Sequence, residues 1–156
     1  MTKINSPEDY PQGKSANRRL ARTVVFQILY QEEFNAGSLQ RDAAAYIKQE
    51  LPKHEPLVQF AEMLLAGTVE KRQAIDAKLA EVAQHWTVER MNPTDRSILR
   101  LAVFEIIGTS APKAVIINEA VELAKQFGTK DSAAFVNGIL DKIENEPQVF
   151  RAASAR

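Results

Sequence analysis

Cysteine is absent from this chain of 156 residues, which excludes disulfides, thiolate nucleophiles and thiolate metal sites together. That absence is consistent with a cytosolic home. No run of roughly 18 consecutive apolar residues occurs, so no segment reads as a membrane-spanning helix. The opening stretch from Met1 to Pro11 is polar and lacks the apolar centre of a secretory signal. Excess charge is missing as well: twenty basic side chains are balanced by twenty acidic ones. A protein that coats nucleic acid indiscriminately carries a large positive surplus, so any such binding here must come from local clustering. There is no glycine-rich phosphate loop, paired-histidine helix or G-x-S-x-G elbow. His54 and His85 stand far apart without a carboxylate or serine context and read as surface residues. No enzyme activity, metal or cofactor is expected.

What is present fits one globular domain able to bury a core unaided, with 45% apolar and 26% charged residues. Residues 1–14, with Pro7, Pro11 and Gly13, read as a flexible basic tail. A helix starts near Ser15, and Ala21, Val24, Val25, Ile28 and Leu29 mark its buried stripe. It ends at Asn35-Ala36-Gly37, where Gly37 suits a left-handed position. A shorter helix over Arg41 to Leu51 stops at Pro52. A third runs from Leu57 to Lys71 with Phe60, Ala61, Leu64 and Leu65 as its row. Gly67 inside it costs roughly 1 kcal/mol relative to alanine, which a closely crossing neighbour would justify.

Ile75, Leu79, Val82 and Ala83 mark a fourth helix reaching about His85, and Trp86 to Met91 is a connector. Asn92-Pro93-Thr94-Asp95 is a helix start, with Asn92 as N-cap, Pro93 at the first position and Asp95 meeting the helix dipole. From Ile98 to Ile107 that helix is apolar almost all round, as expected of a buried centre. The next carries Ile117, Ala120, Val121, Ala124 and Phe127 on one face and ends at Gly128. The last has Val136, Ile139, Leu140 and Ile143 as its stripe, with Gly138 in its middle. No alternating strand pattern appears. The expectation is all-α: about seven helices over 15–145 in two small packed bundles, about 15–85 and 92–145, and a C-terminal tail over 146–156.

Two groups of side chains carry possible chemistry. On the first helix Arg18, Arg22, Phe26 and Tyr30 climb one side in i, i+4 steps, with Arg19 beside them and Lys3 and Lys14 ahead. Guanidinium groups pair with phosphate and a ring beside them stacks a splayed base. The same pattern also describes a solvated basic edge with Phe26 and Tyr30 as peripheral core. On the last helix Asp131 and Phe135 stand i, i+4, where Asp131 is either the helix cap or an acceptor for a base amino group. Asn118, Glu119 and Glu122 fit capping and a Glu122–Lys125 pair better than a metal site.

Three segments, Arg18-Arg19-Leu20-Ala21-Arg22 through Gln27-Ile28-Leu29-Tyr30, then Asp95-Arg96-Ser97-Ile98-Leu99-Arg100-Leu101-Ala102, then Ile117 to Asp141, together resemble the bacterial transcription antitermination factor family NusB. The resemblance covers nearly everything from Arg18 to Ile143, and the combination of Asn118-Glu119-Ala120 with Phe135-Val136-Asn137-Gly138 is its most specific part. It implies an all-helical fold of two small bundles. It implies binding to boxA-type RNA of ribosomal RNA leader transcripts together with NusE, a small-subunit ribosomal protein. Other Nus factors and RNA polymerase would be engaged indirectly. Carried over by position, Lys14, Arg18, Arg19 and Arg22 would engage RNA phosphates and Asp131 and Phe135 would lie on the RNA-facing edge. Tyr30 and Asp95 would lie on or near the NusE-facing side. The family often has basic residues where Leu20 and Ala134 stand here, so RNA affinity without NusE is expected to be modest.

Two other readings remain at this point. One is the RNA-recognition portion of a ribosomal RNA methyltransferase; such an enzyme adds a catalytic domain with a cofactor loop and cysteine, and the sequence to Arg156 holds neither. The other is a helical adaptor or homodimer, with the basic edge incidental.

Overall fold

The computed structural model describes residues 14–144, apart from the side chains of residues 14–16 and 38–41. The expected tails, with Lys3, and the side chain of Lys14 lie outside the described residues. The elements are α1 (Lys14–Phe34), α2 (Ser38–Glu50), α3 (Glu55–Glu70), α4 (Arg72–Val82), a single 3-10 turn (Val88–Arg90), α5 (Pro93–Gly108), α6 (Lys113–Phe127) and α7 (Ser132–Asp141). No strand occurs among the described residues, as the patterning predicts. None of the helices is long and apolar enough to cross a membrane. The chain divides into two compact units between Ala66 and Gly67, inside α3. This is earlier than the expected joint at Trp86 to Met91. The reason is that α4 pairs with α5: the Arg100 guanidinium grips Asp76 with Nε and Nη2 at 2.8 and 2.9 Å.

In the first unit α1 packs on α2, and Ala21, Val24, Val25, Phe26 and Ile28 of α1 are buried, as is Ile47 of α2. The turn between them holds Gly37 at φ 94°, a left-handed conformation that glycine adopts without a Cβ penalty. Its N–H donates to the Glu32 carboxylate at 3.0 Å. The Tyr46 hydroxyl meets Gln27 at 3.3 Å, and burial, followed by the nearby Glu50 carboxylate, pushes its phenol above the ordinary range.

In the second unit α5 is enclosed on nearly every side. Ser97 through Ile107 are all buried, including Arg100 and Glu105. Its start follows the expected cap: the Asn92 side-chain oxygen accepts from the Asp95 N–H at 2.8 Å, and the Asn92 amide donates back to the Asp95 carboxylate at 3.0 Å. α6 and α7 pack on α5 and on each other. α6 buries Ile116, Ala120, Leu123 and Ala124, so its inner face is turned by about one residue from the expected Ile117–Val121–Phe127 row, which is half-buried on the flank. A step of about 100° per residue makes such neighbouring rows hard to rank by sequence alone. α4 ends at Val82 rather than His85 because Ala83 leaves helical backbone at ψ 70°.

Gly67 is explained by close approach. A Cβ there would stand 2.0 Å from the Phe104 ring, so the ring occupies the space any side chain would need. Alanine normally stabilises a helix relative to glycine, yet here overpacking reverses the sign. Gly67→Ala is expected to lower unfolding free energy by about 1–3 kcal/mol, and Phe104→Leu in the same chain to recover part of it. Urea denaturation of the three proteins measures this as a shift in midpoint at unchanged slope.

Candidate nucleic-acid interface

The basic stripe of α1 separates into layers. Arg19 is exposed, Arg18 is half-buried, and Arg22 is 5% exposed, with Phe26 fully in the core. The reason is Phe60 of α3, whose ring lies 4.1 Å from the Arg18 guanidinium and 5.3 Å from that of Arg22. A cation over an aromatic face is held by the ring quadrupole, by about 0.5–2 kcal/mol depending on desolvation. The three arginines are therefore one exposed, Arg19, one half-buried over the ring, Arg18, and one buried near the same ring, Arg22. For Arg22 to reach a phosphate its side chain would have to leave Phe60. The sequence marks Phe60 only as a core residue, although a ring i, i+4 from Leu64 on a helix flank is placed equally well to carry a guanidinium.

Farther along α1, Phe26, Tyr30 and Phe34 form a ladder of rings with centroids 6.0 and 5.0 Å apart. Tyr30 is at the surface, and Phe34, at the helix end, is 65% exposed. Asp95, expected on a partner-facing side, is instead 6% exposed and committed to the cap of α5, with Oδ1 buried and unbonded.

In the second unit Asp131 is exposed and lies one residue before α7, but its side chain makes no cap bond. Ser132 holds the turn instead: its hydroxyl accepts from the Thr129 N–H at 2.9 Å and is buried against Gly128, where a Cβ would come within 2.4 Å of it. Asp131 is thus left at the surface. The capping expected of Asn118 and Glu119 is likewise not realised, since both fall inside α6, whereas the Glu122–Lys125 pair is present at 3.6 Å.

Phe135, one turn after Asp131, is half-buried and meets Trp86 nearly edge-on, with centroids 5.8 Å apart and planes at 75°. The sequence marks Trp86 only as part of a connector. The chain just after Trp86 is held by Arg96, whose Nη1 donates to the carbonyls of Val88, Glu89 and Met91 at 3.1, 3.3 and 3.0 Å. Gly138 lies one turn beyond Ala134, and nothing stands within 4 Å of where its Cβ would be. An open glycine inside a helix costs roughly 1 kcal/mol relative to alanine with no packing reason of its own.

Residues 19–145 match the family model described as the NusB family. The chain belongs to the NusB family. Transcription antitermination protein NusB of Geobacter sulfurreducens is 44% identical over 131 residues, covering 81% of this chain and 92% of that protein. The protein of the same description from Anaeromyxobacter dehalogenans is 39% identical over 129 residues, covering 83% and 91%. The fold agrees: T. maritima NusB superposes with a TM-score of 0.73 at 30% identity, covering 96% of this chain and 99% of that one. A structure of antitermination factors NusB and NusE in complex with dsRNA includes a chain with a TM-score of 0.70 at 23% identity, covering 88% and 98%, a likeness of fold.

Phe60→Leu keeps apolar volume and removes the ring face beneath both guanidinium groups. It is expected to lower stability by about 1–2 kcal/mol, with the loss smaller when Arg22 is already methionine. A double-mutant cycle by thermal unfolding measures that coupling.

Proposed function

We propose that this NusB-family chain is a non-enzymatic, cytoplasmic antitermination factor. It binds boxA-type RNA of ribosomal RNA leader transcripts together with NusE, and helps RNA polymerase resist termination in company with other Nus factors. The observation that carries the reading is the family match over residues 19–145, with relatives described as transcription antitermination proteins. The solved NusB–NusE complex with dsRNA lends support for both partners.

Within this reading Arg19 and Arg18 meet phosphates, with Lys14 adding attraction and Arg22 holding the platform from below. Phosphate contacts set register, and sequence is read elsewhere. Asp131 accepts from a base amino group, and Phe135 offers a ring to an unpaired base, which favours single-stranded over duplex RNA. Tyr30, continued by the exposed ring of Phe34, turns to NusE. Asp95 belongs to the NusE-facing side through its cap, by fixing where α5 begins.

A titration of boxA-like RNA, its scrambled control and its duplex form, with and without NusE at two salt concentrations, tests the whole. Sequence-independent binding, or a preference for duplex, contradicts the proposal. Arg19→Ala is expected to weaken binding to every sequence alike and to flatten the salt dependence by about 0.7 in log–log slope, the share of one phosphate on a single strand. Phe135→Ala is expected to cost about 1–3 kcal/mol of binding with the salt slope unchanged. Arg22→Ala is expected to act first on the melting temperature, because the side chain is buried.

A further inference from the structure

Trp86 stands between two grooves of the second unit. The larger, about 480 Å³, is lined by Asp76, Glu89 and Arg90 together with alanines of α4 and the segment from Gln84 to Val88. The smaller, about 250 Å³, lies between the end of α4 and α7 and is lined by His85, Trp86, Phe135, Gly138, Ile139 and Lys142 with their neighbours. Its lining contains no carboxylate, and its one full charge is the exposed Lys142 ammonium.

We propose that this smaller groove takes a single unstacked nucleobase of bound RNA, walled by Trp86 and Phe135, floored by Gly138, with Lys142 taking the adjoining phosphate. The inference rests on the RNA-binding reading above and adds Trp86, Gly138 and Lys142 to it. Four observations converge on this occupant. The volume falls below the roughly 300–1,000 Å³ of sites for drug-sized ligands and suits one flat ring. Trp86 is 51% exposed, and in an edge-on pair at least one ring keeps both faces clear of the other for stacking. The charge fits this side of Trp86, since Lys142 attracts a nucleotide's phosphate with no carboxylate in the lining, whereas in the larger groove Glu89 and Arg90 offset each other and Asp76 is held by Arg100. Finally, no atom of the unit needs Gly138 to be glycine, and the space beyond its Cα is what a ring lying against α7 would use. A base stacked there would be gripped without hydrogen-bond readout, so the groove adds affinity more than sequence choice.

The experiment uses the full chain with NusE and a single-stranded boxA-like RNA. Because Trp86 is the chain's one tryptophan, 5-fluorotryptophan incorporation gives a single ¹⁹F resonance at the groove. Addition of RNA is expected to shift that resonance. Gly138→Leu, which fills the groove from an exposed helical position, is expected to raise Kd at least tenfold while the melting temperature holds or rises. Lys142→Gln is expected to raise Kd severalfold and reduce the salt slope. If wild-type protein binds the RNA and Arg19→Ala weakens it, yet Gly138→Leu binds normally and the ¹⁹F resonance stays in place, the groove is not a nucleotide site and the RNA-binding reading stands. If the wild-type protein with NusE does not bind the RNA at all, the inference falls together with that reading.

Discussion

Enclosing α5 from Ser97 to Ile107 removes water from the two charged residues it carries, and the second unit is organised around that demand. A guanidinium in such a place must be answered by a well-aligned acceptor or its desolvation goes uncompensated. Asp76 answers Arg100 through two short bonds, and this is what ties α4 to α5. Once α4 is fixed, the chain from Ala83 to Met91 has to cover a short distance back to the start of α5. Arg96, on the same helix, gathers three carbonyls of that return, and Asn92 with Asp95 closes it. Trp86 is displayed as a result. The segment that displays Trp86 is thus fixed at both ends, by its N–H on the Ala83 carbonyl and by the carbonyls that Arg96 gathers just after it.

The first unit solves a similar problem with a different device. Arginines at the start of α1 are spaced so that one of them faces inward, and the ring of Phe60 lies against it. Arg22 is thereby kept out of water while Arg19, about one turn earlier, stays exposed. Burial of one cation thus supports the exposed presentation of another, Arg19.

Local chemistry was the most legible part of the sequence. The Asn92-Pro93-Asp95 start, the left-handed Gly37 and the all-round apolar α5 each follow from residues within a turn or two of one another. Three readings failed, two of them where the answer depended on a distant residue. Arg22 cannot be told from an outward group without knowing that the ring of Phe60 lies against it. The inner face of α6 differs from its neighbour by one step, and only α5 and α7 decide between them. Asp131 has the composition of a cap, but Ser132, buried against Gly128, takes the bond that matters. Trp86 carried no periodic signal at all, because a side chain in a connector belongs to no stripe. The family resemblance was readable because its motif residues are contiguous. Their exposures, which decide what each can touch, were not.

The pairing of Asn137 with Gly138 has a chemical corollary. In an extended chain an asparagine side chain is readily attacked by the amide nitrogen of a following glycine, which expels ammonia and leaves aspartate or its isomer. Helical torsions hold that nitrogen away from the side-chain carbon and commit its N–H to the i−4 carbonyl. The glycine that keeps the surface of α7 open therefore makes the same spot a clock for local unfolding. Each excursion out of the helix is an opportunity to acquire a permanent negative charge one residue from the open face of Gly138.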